Sequence, residues 1–351
     1  MSMRALIYNG PRNIRVKDVK IPEIGDTDVL IKVQYCGICG TDIHIYNGDG
    51  GAFDVTPPLI MGHEFSGIVE KIGSKVSKVK VGDLVTADPN HMCGSCYYCK
   101  NAQEQFCEHV IGIGTTCDGG FAQYCAVCEK QVFKFREGMD ALTASMTEPV
   151  SCCLHGIDLC NIKPGNEVLI IGGGPIGMIM LQLARMAGAS KIILSEPVAG
   201  KREMGTRLGA DLVINPIGED MEAVLKEKCK NINVVIECVG NICTIGTAVN
   251  CAGKGATVMM FGLTGPGASL QIDPELVFKK ELKLTSSFIN PYTFERSVAI
   301  LESGRLNVTE IISQIIPLED CIKAFEDDNH RREGKIVIQL NSGTGLTSNE
   351  K

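Results

Sequence analysis

Two kinds of hydrophobic spacing divide this chain. Up to about residue 135 the apolar positions alternate with period two, as half-buried strands require. Ile14-Arg15-Val16-Lys17-Asp18-Val19 is one such run, and Asp28-Val29-Leu30-Ile31-Lys32-Val33 is another. Residues 64–85 continue the pattern, punctuated by Gly67, Gly73 and Gly82-Asp83. These stretches predict an irregular, glycine-rich β-domain. From about Ala141 the pattern changes. Residues 142–160 have helical spacing, and Val168-Leu169-Ile170-Ile171 is an unbroken apolar run of the kind a buried parallel strand shows. Helix is then expected at 176–186, 200–208 and 242–251, and strand at 191–194, 234–236 and 256–261. This alternation predicts a doubly wound sheet. After about Phe288 two amphipathic helices and a last strand at 335–340 are expected, and the polar tail 341–351 is expected to fray. No internal repeat is visible.

Bulk properties narrow the classes. A chain of 351 residues is too long for one ordinary core, so two domains are expected. Its 39 glycines and 44% hydrophobic content suit a soluble protein rich in tight turns. The net charge of −7 argues against nucleic-acid or acidic-membrane partners. No apolar run reaches the roughly 18 residues that suggest a membrane span. Met1-Ser2-Met3-Arg4-Ala5 lacks the apolar core of a secretory signal. Seventeen cysteines, an odd number in a long chain, read as reduced thiols with a subset on metal, and the expected compartment is the cytoplasm.

Three constellations carry chemistry. Cys39-Gly40-Thr41-Asp42-Ile43-His44 offers a soft ligand, a hydroxyl, a carboxylate and an imidazole within six residues, and Met61-Gly62-His63-Glu64 follows. Cys39 and His63 are candidates to share one catalytic zinc. Cys93, Cys96, Cys99 and Cys107 have the spacing C-x2-C-x2-C-x7-C, and four thiolates with no open position make a structural zinc site. The alternative is a group of free surface thiols, an oxidation hazard at this density. A nucleic-acid finger is disfavoured, because Lys100 is the only base in that loop. Gly172-Gly173-Gly174-Pro175-Ile176-Gly177 matches G-x-G-x-x-G between an apolar strand and a helix, the context for a dinucleotide pyrophosphate at a helix N-terminus. Glu196 stands nineteen residues past Gly177, placed to bind a ribose 2′-hydroxyl and repel a 2′-phosphate. That favours NAD over NADP, although Lys201 and Arg202 are basic groups nearby.

With these motifs placed, the chain resembles the zinc-dependent medium-chain alcohol and polyol dehydrogenases over nearly its whole length. Gly62-His63-Glu64-Phe65-Ser66-Gly67, with Gly73 and Val76, matches the family's zinc signature. Cys36 to Asp42, the four-cysteine lobe, Gly82-Asp83 and the nucleotide loop occur in the family's order. The resemblance implies a GroES-like catalytic domain from 1–150 and 290–351, with a Rossmann domain at 151–289 between its parts. It implies one catalytic and one structural zinc per chain, NAD as cofactor, and a homodimer or homotetramer.

The resemblance also implies roles. Cys39 and His63 would bind the catalytic zinc, and Glu64 would be a third ligand or lie just behind the metal. Where the alcohol dehydrogenases carry a later cysteine, Thr147-Glu148-Pro149-Val150 places Glu148, as in the polyol and threonine dehydrogenases. Whether Glu64, Glu148 or water completes the shell stays open, with Cys152 and Cys153 as rival ligands. Thr41 would hydrogen-bond the substrate hydroxyl, His44 would pass its proton toward solvent, and Asp42 would orient the histidine ligand. His155 reads as a core residue. Gly172, Gly174, Pro175, Ile176, Gly177, Glu196 and Lys201 would hold the cofactor. The expected substrate is a secondary alcohol of a polyol, such as sorbitol, arabitol or galactitol phosphate. Threonine and 2,3-butanediol are the runners-up. A silent zinc- and NAD-binding structural protein and a zinc-free quinone reductase are the other classes weighed; the intact Cys39, Thr41, His44, His63 and Glu64 set argues against the first, and the presence of both zinc motifs against the second.

Overall fold

The computed structural model describes residues 1–51, 53–265, 267–327 and 333–341. Two compact units emerge, one formed by Met1–Pro149 with the chain from Phe294 onward, the other by Val150–Thr293.

The first unit is built on a seven-stranded sheet whose central member is Asp28–Gly37. Valines and isoleucines at its alternate positions, Val29, Ile31 and Val33, are fully buried, which accounts for the period-two pattern. Glu64–Ile72 and Tyr124–Cys128 pair with it antiparallel, as does Lys335–Gln339. The register sets Gly37 opposite Glu64 on one side and Val337 on the other. The punctuated strand pattern over 64–85 forms two strands, Glu64–Ile72 and Leu84–Ala87, with Gly73 and Gly82 in the stretch between them. A strand that the pattern did not predict, Ile312–Pro317, runs parallel to Lys335–Gln339. Its residues alternate between half-buried and exposed, so no strong apolar run announces it.

The second unit carries a six-stranded parallel sheet. Its order is Leu212–Ile214, Lys191–Ser195, Glu167–Ile171, Ile232–Glu237, Thr257–Met260, Lys283–Ser286. In sequence order this is 3-2-1-4-5-6, the doubly wound arrangement whose reversal point lies beside its first strand. The helical stretch at 142–160 is broken into Ala141–Ala144 and Thr147–Cys160. Part of the tail departs from expectation. Asn341 is anchored, its side-chain amide donating to the carbonyls of Val33 (2.7 Å) and Gln123 (2.9 Å). Residues 342–351 lie outside the described residues.

Leu169 lies fully buried at the centre of that parallel sheet. Leu169→Ala is expected to destabilise the second unit by about 2–5 kcal/mol, through lost burial and a cavity that the strands cannot close. A lowered urea midpoint with an unchanged slope checks this, and an unshifted midpoint refutes it.

Candidate functional site

The strand Asp28–Gly37 delivers the first donor. Cys39 caps the helix Gly40–Asn47 that follows. The Asp42 carboxylate reaches back to accept the Cys39 backbone N–H at 2.8 Å, which fixes the turn at the ligand position. The other strand brings the second donor, since His63 immediately precedes Glu64–Ile72. With Gly37 opposite Glu64, the side chains of Cys39, His63 and Glu64 converge, and their ligand atoms all lie within 4.8 Å of one another.

This cluster suits a cation. Asp42 is fully buried, and its Oδ1 stands 3.5 Å from His63 Nδ1, on the ring nitrogen opposite Nε2. Burial disfavours charge on His63, but Asp42 and Cys39 outweigh it and hold the imidazole's proton affinity well above the usual range. A buried group of anionic donors around one imidazole is the environment that a divalent metal satisfies, so the residues fit zinc. Glu148, in the first turn of Thr147–Cys160, is buried too, but among the described residues it is not part of the three-residue group.

Thr41 and His44 lie three residues apart on the helix Gly40–Asn47, a spacing that places them on one face. His44 is partly exposed, with Nδ1 3.7 Å from Asp49 Oδ2. Cys152 and Cys153 follow in the second unit, where the Cys153 thiol faces the Ile176 carbonyl at 4.0 Å. His155 lies on the same helix, half-buried rather than in the core, and burial lowers its pKa.

Two residues of the first unit went unnoticed in the sequence. Lys335 is buried and forms an ion pair with Glu64. Burial opposes its charge, yet Glu64, Cys39 and Glu148 together hold the ammonium above the ordinary lysine range. Gly37 permits that pairing, because a Cβ there would collide with Glu64 Oε2 and lie 2.8 Å from Lys335 Cε. The available signal was a lone cation heading the apolar run Lys335-Ile336-Val337-Ile338.

The four cysteines of the second cluster also converge, with all four sulfurs within 4.8 Å. Cys93 Sγ accepts from the Ser95 hydroxyl (3.5 Å), the Ser95 N–H (3.4 Å) and the Cys96 N–H (3.3 Å). The Ser95 donors lead in pulling the Cys93 pKa down to about 5. Cys107 Sγ accepts from the N–H groups of Cys93 (3.3 Å) and His109 (3.4 Å). Backbone donors aimed at sulfur favour thiolates, the form that a metal needs.

In the second unit, Gly172 lies at φ +102° where Glu167–Ile171 ends, and Gly174 caps the helix Pro175–Met186 with Pro175 at its first position. A Cβ at Gly177 would collide with the Gly172 carbonyl oxygen, whereas one at Gly174 would meet open space within 4 Å. Ile176 and Gly177 complete the first turn, whose free N–H groups suit a pyrophosphate. Glu196 is buried and accepts from the Gly173 N–H (2.7 Å) and the Val198 N–H (2.9 Å). Lys201 is half-buried in the first turn of Ala199–Arg207, and Arg202 donates to the Glu196 and Pro197 carbonyls (2.8 and 2.7 Å). Glu237, which the sequence reading passed over, accepts from the N–H groups of Val239 (2.9 Å) and Gly240 (3.0 Å) and from the Thr244 hydroxyl (2.7 Å). It pins the loop whose Val239 borders Gly172.

Two family models match, an alcohol dehydrogenase GroES-like domain over residues 25–137 and a zinc-binding dehydrogenase over residues 175–303. D-arabinitol dehydrogenase 1 of Uromyces fabae is 32% identical over 344 residues, 97% of each chain. The chain belongs to the zinc-dependent medium-chain alcohol and polyol dehydrogenases. L-threonine 3-dehydrogenase of Bacillus velezensis (strain FZB42) is a further relative, 33% identical over 341 residues, 96% of this chain and 98% of that one. Among solved structures, a zinc-binding dehydrogenase from Sinorhizobium meliloti 1021 bound to NADP superposes with a TM-score of 0.93 at 37% identity, covering 97% of this chain and 99% of that one. The protein is therefore an alcohol dehydrogenase that uses zinc and a nicotinamide cofactor on a small-molecule alcohol. No described helix is long and apolar enough to cross a membrane.

Asp42→Asn removes the charge facing His63 while keeping an acceptor for the Cys39 N–H. It is expected to weaken metal binding at this centre about 10–100-fold. Competition with a chromophoric chelator measures this, and an unchanged affinity would show that Asp42 does not orient the histidine.

Proposed function

We propose that this dehydrogenase oxidises a secondary alcohol of a polyol to the ketone, with NAD as hydride acceptor. The observation that carries the reading is the donor set. Cys39 and His63 are joined in the cluster by the Glu64 carboxylate, and the buried Glu148 stands in the sequence where an ethanol-type site carries a second thiolate. The arabinitol dehydrogenase similarity supports the same substrate class. The threonine dehydrogenase relative keeps an amino alcohol as the second reading.

Zinc, when bound by Cys39 and His63 with a carboxylate, supplies Lewis acidity toward the substrate oxygen. The chain supplies the proton route. Thr41 would hydrogen-bond the substrate hydroxyl, and His44, partly open to solvent with its Nδ1 3.7 Å from Asp49 Oδ2, would pass the proton on to solvent through the cofactor ribose. A bound nicotinamide would supply the hydride acceptor, so that one alcohol and one NAD+ would give one ketone, one NADH and one proton. Cys93, Cys96, Cys99 and Cys107 hold a second, structural zinc, and the enzyme is a homodimer or homotetramer. NAD is preferred because the buried Glu196 carboxylate would face a 2′-phosphate, while Arg202 is committed to backbone carbonyls. The NADP-bound neighbour makes this preference worth direct measurement.

A panel of polyols, diols and amino alcohols assayed with NAD and NADP should give the highest kcat/KM for a polyol with NAD. A threonine optimum would replace the substrate assignment without touching the mechanism. Cys39→Ser should abolish turnover, whereas retained activity would sink it. Glu196→Ala should narrow the preference for NAD over NADP by about tenfold, a difference of about 1.4 kcal/mol.

A further inference from the structure

We infer that Glu237 is a positioning residue for the nicotinamide half of the cofactor, an inference that rests on residues 172–177 as the pyrophosphate loop. A doubly wound sheet is built from two mononucleotide-binding halves, and its ligands lie across the carboxyl ends of the strands. In the order 3-2-1-4-5-6 the halves meet between the first strand, Glu167–Ile171, and the fourth, Ile232–Glu237. The glycine loop and Glu196 follow the first and second strands and serve the adenosine half. Glu237 ends the fourth strand, beside the fifth, Thr257–Met260, so the turns after these two strands belong to the nicotinamide half.

Glu237 joins those turns to each other. Its side chain is fully buried, and the groups that meet the carboxylate are the N–H groups of Val239 and Gly240 and the Thr244 hydroxyl. Its backbone carbonyl accepts from the N–H groups of Phe261 and Gly262, each at 2.9 Å. The next residue, Cys238, donates its N–H to the Ile171 carbonyl at 2.9 Å, which ties the same turn to the strand that leads into the glycine loop. The two turns touch backbone to backbone. A Cβ at Gly262 would strike the Gly240 nitrogen, and one at Gly240, which lies at φ +76°, would strike the Leu263 carbonyl oxygen. The side chains that these turns present are apolar and uncovered, with Val239 51% and Leu263 62% exposed. Such surface suits the carbon face of a nicotinamide ring, and the buried Glu237 would act on that ring only through the turns it holds. A carboxylate satisfied by backbone donors fixes the position of the chain that carries them.

The full-length enzyme with its metal sites loaded is titrated with NADH by fluorescence and with AMP, which occupies only the adenosine half, by calorimetry. Glu237→Gln keeps the size of the side chain but can set an amide donor against the Gly240 N–H, which the second carboxylate oxygen accepts at 3.2 Å. It is expected to weaken NADH binding about tenfold and to leave AMP binding unchanged. Thr244→Val should show the same split to a smaller degree, and Thr244→Ser should restore the wild-type affinity. An unchanged NADH affinity overturns the inference, and so does equal weakening of both ligands, which would report a general loosening of the unit. If Glu237→Gln gives no folded protein, the two Thr244 variants are read by the same outcomes. Failure of the underlying loop reading shows separately, as a Gly177→Ala variant that binds AMP and NADH as wild type does.

Discussion

Pairing of Asp28–Gly37 with Glu64–Ile72 sets Gly37 opposite Glu64, and the metal cluster depends on that register. Cys39 lies two residues beyond Gly37, and His63 one residue before Glu64. Side chains alternate faces along a strand, so a one-residue slip would turn Glu64 away from this cluster and misplace His63. The register is secured by apolar burial farther along the strands, where Val29, Ile31, Val33, Phe65 and Val69 are shielded from solvent. Packing in the β-core thus supplies the accuracy that the metal site needs, although none of those residues is polar.

The second unit solves a different problem with the same economy of means. A pyrophosphate needs backbone N–H groups and room, not side chains. Gly172 turns the chain at positive φ, Gly177 allows the helix to close on the strand, and Gly174 leaves space beside the helix start. Two buried acids then hold the surrounding loops. Glu196 fastens Gly173 to Val198, and Glu237 fastens Val239 and Gly240 beside Gly172. Each carboxylate accepts from backbone N–H groups, and Glu237 also from the Thr244 hydroxyl, which is why these charges tolerate burial.

Much of this was legible in the chain. The parallel strands declared themselves through unbroken apolar runs, and the cysteine spacing and glycine loop led to clusters that the fold brings together. Ile312–Pro317 escaped because its faces are only half-buried, so its hydrophobic pattern is shallow. Asn341 looked like the start of a polar tail, yet its amide bridges two carbonyls more than two hundred residues away, which local composition cannot reveal. Lys335 was hidden for the same reason. A lysine at the head of a strand reads as a solvated end, and only the long-range pairing with residues 36 and 37 carries it inside.

Charge balance explains why that long-range pairing matters. Asp42, Glu64 and Glu148 are all buried near the two ligand residues or their supports, and a cluster of that sign would be expensive without cations. A divalent ion answers part of it and Lys335 answers more. Breaking a buried pair by removing one partner costs about 3–5 kcal/mol, so the pair is a constraint on the fold as well as on the site. Asp42, which receives the Cys39 N–H and faces His63, fixes ligand geometry. Glu64 lies in the ligand group itself and is paired with the buried Lys335 ammonium. That cation reaches the cluster because Lys335–Gln339, a strand of the carboxy-terminal segment, pairs with the central strand of the amino-terminal sheet beside Gly37.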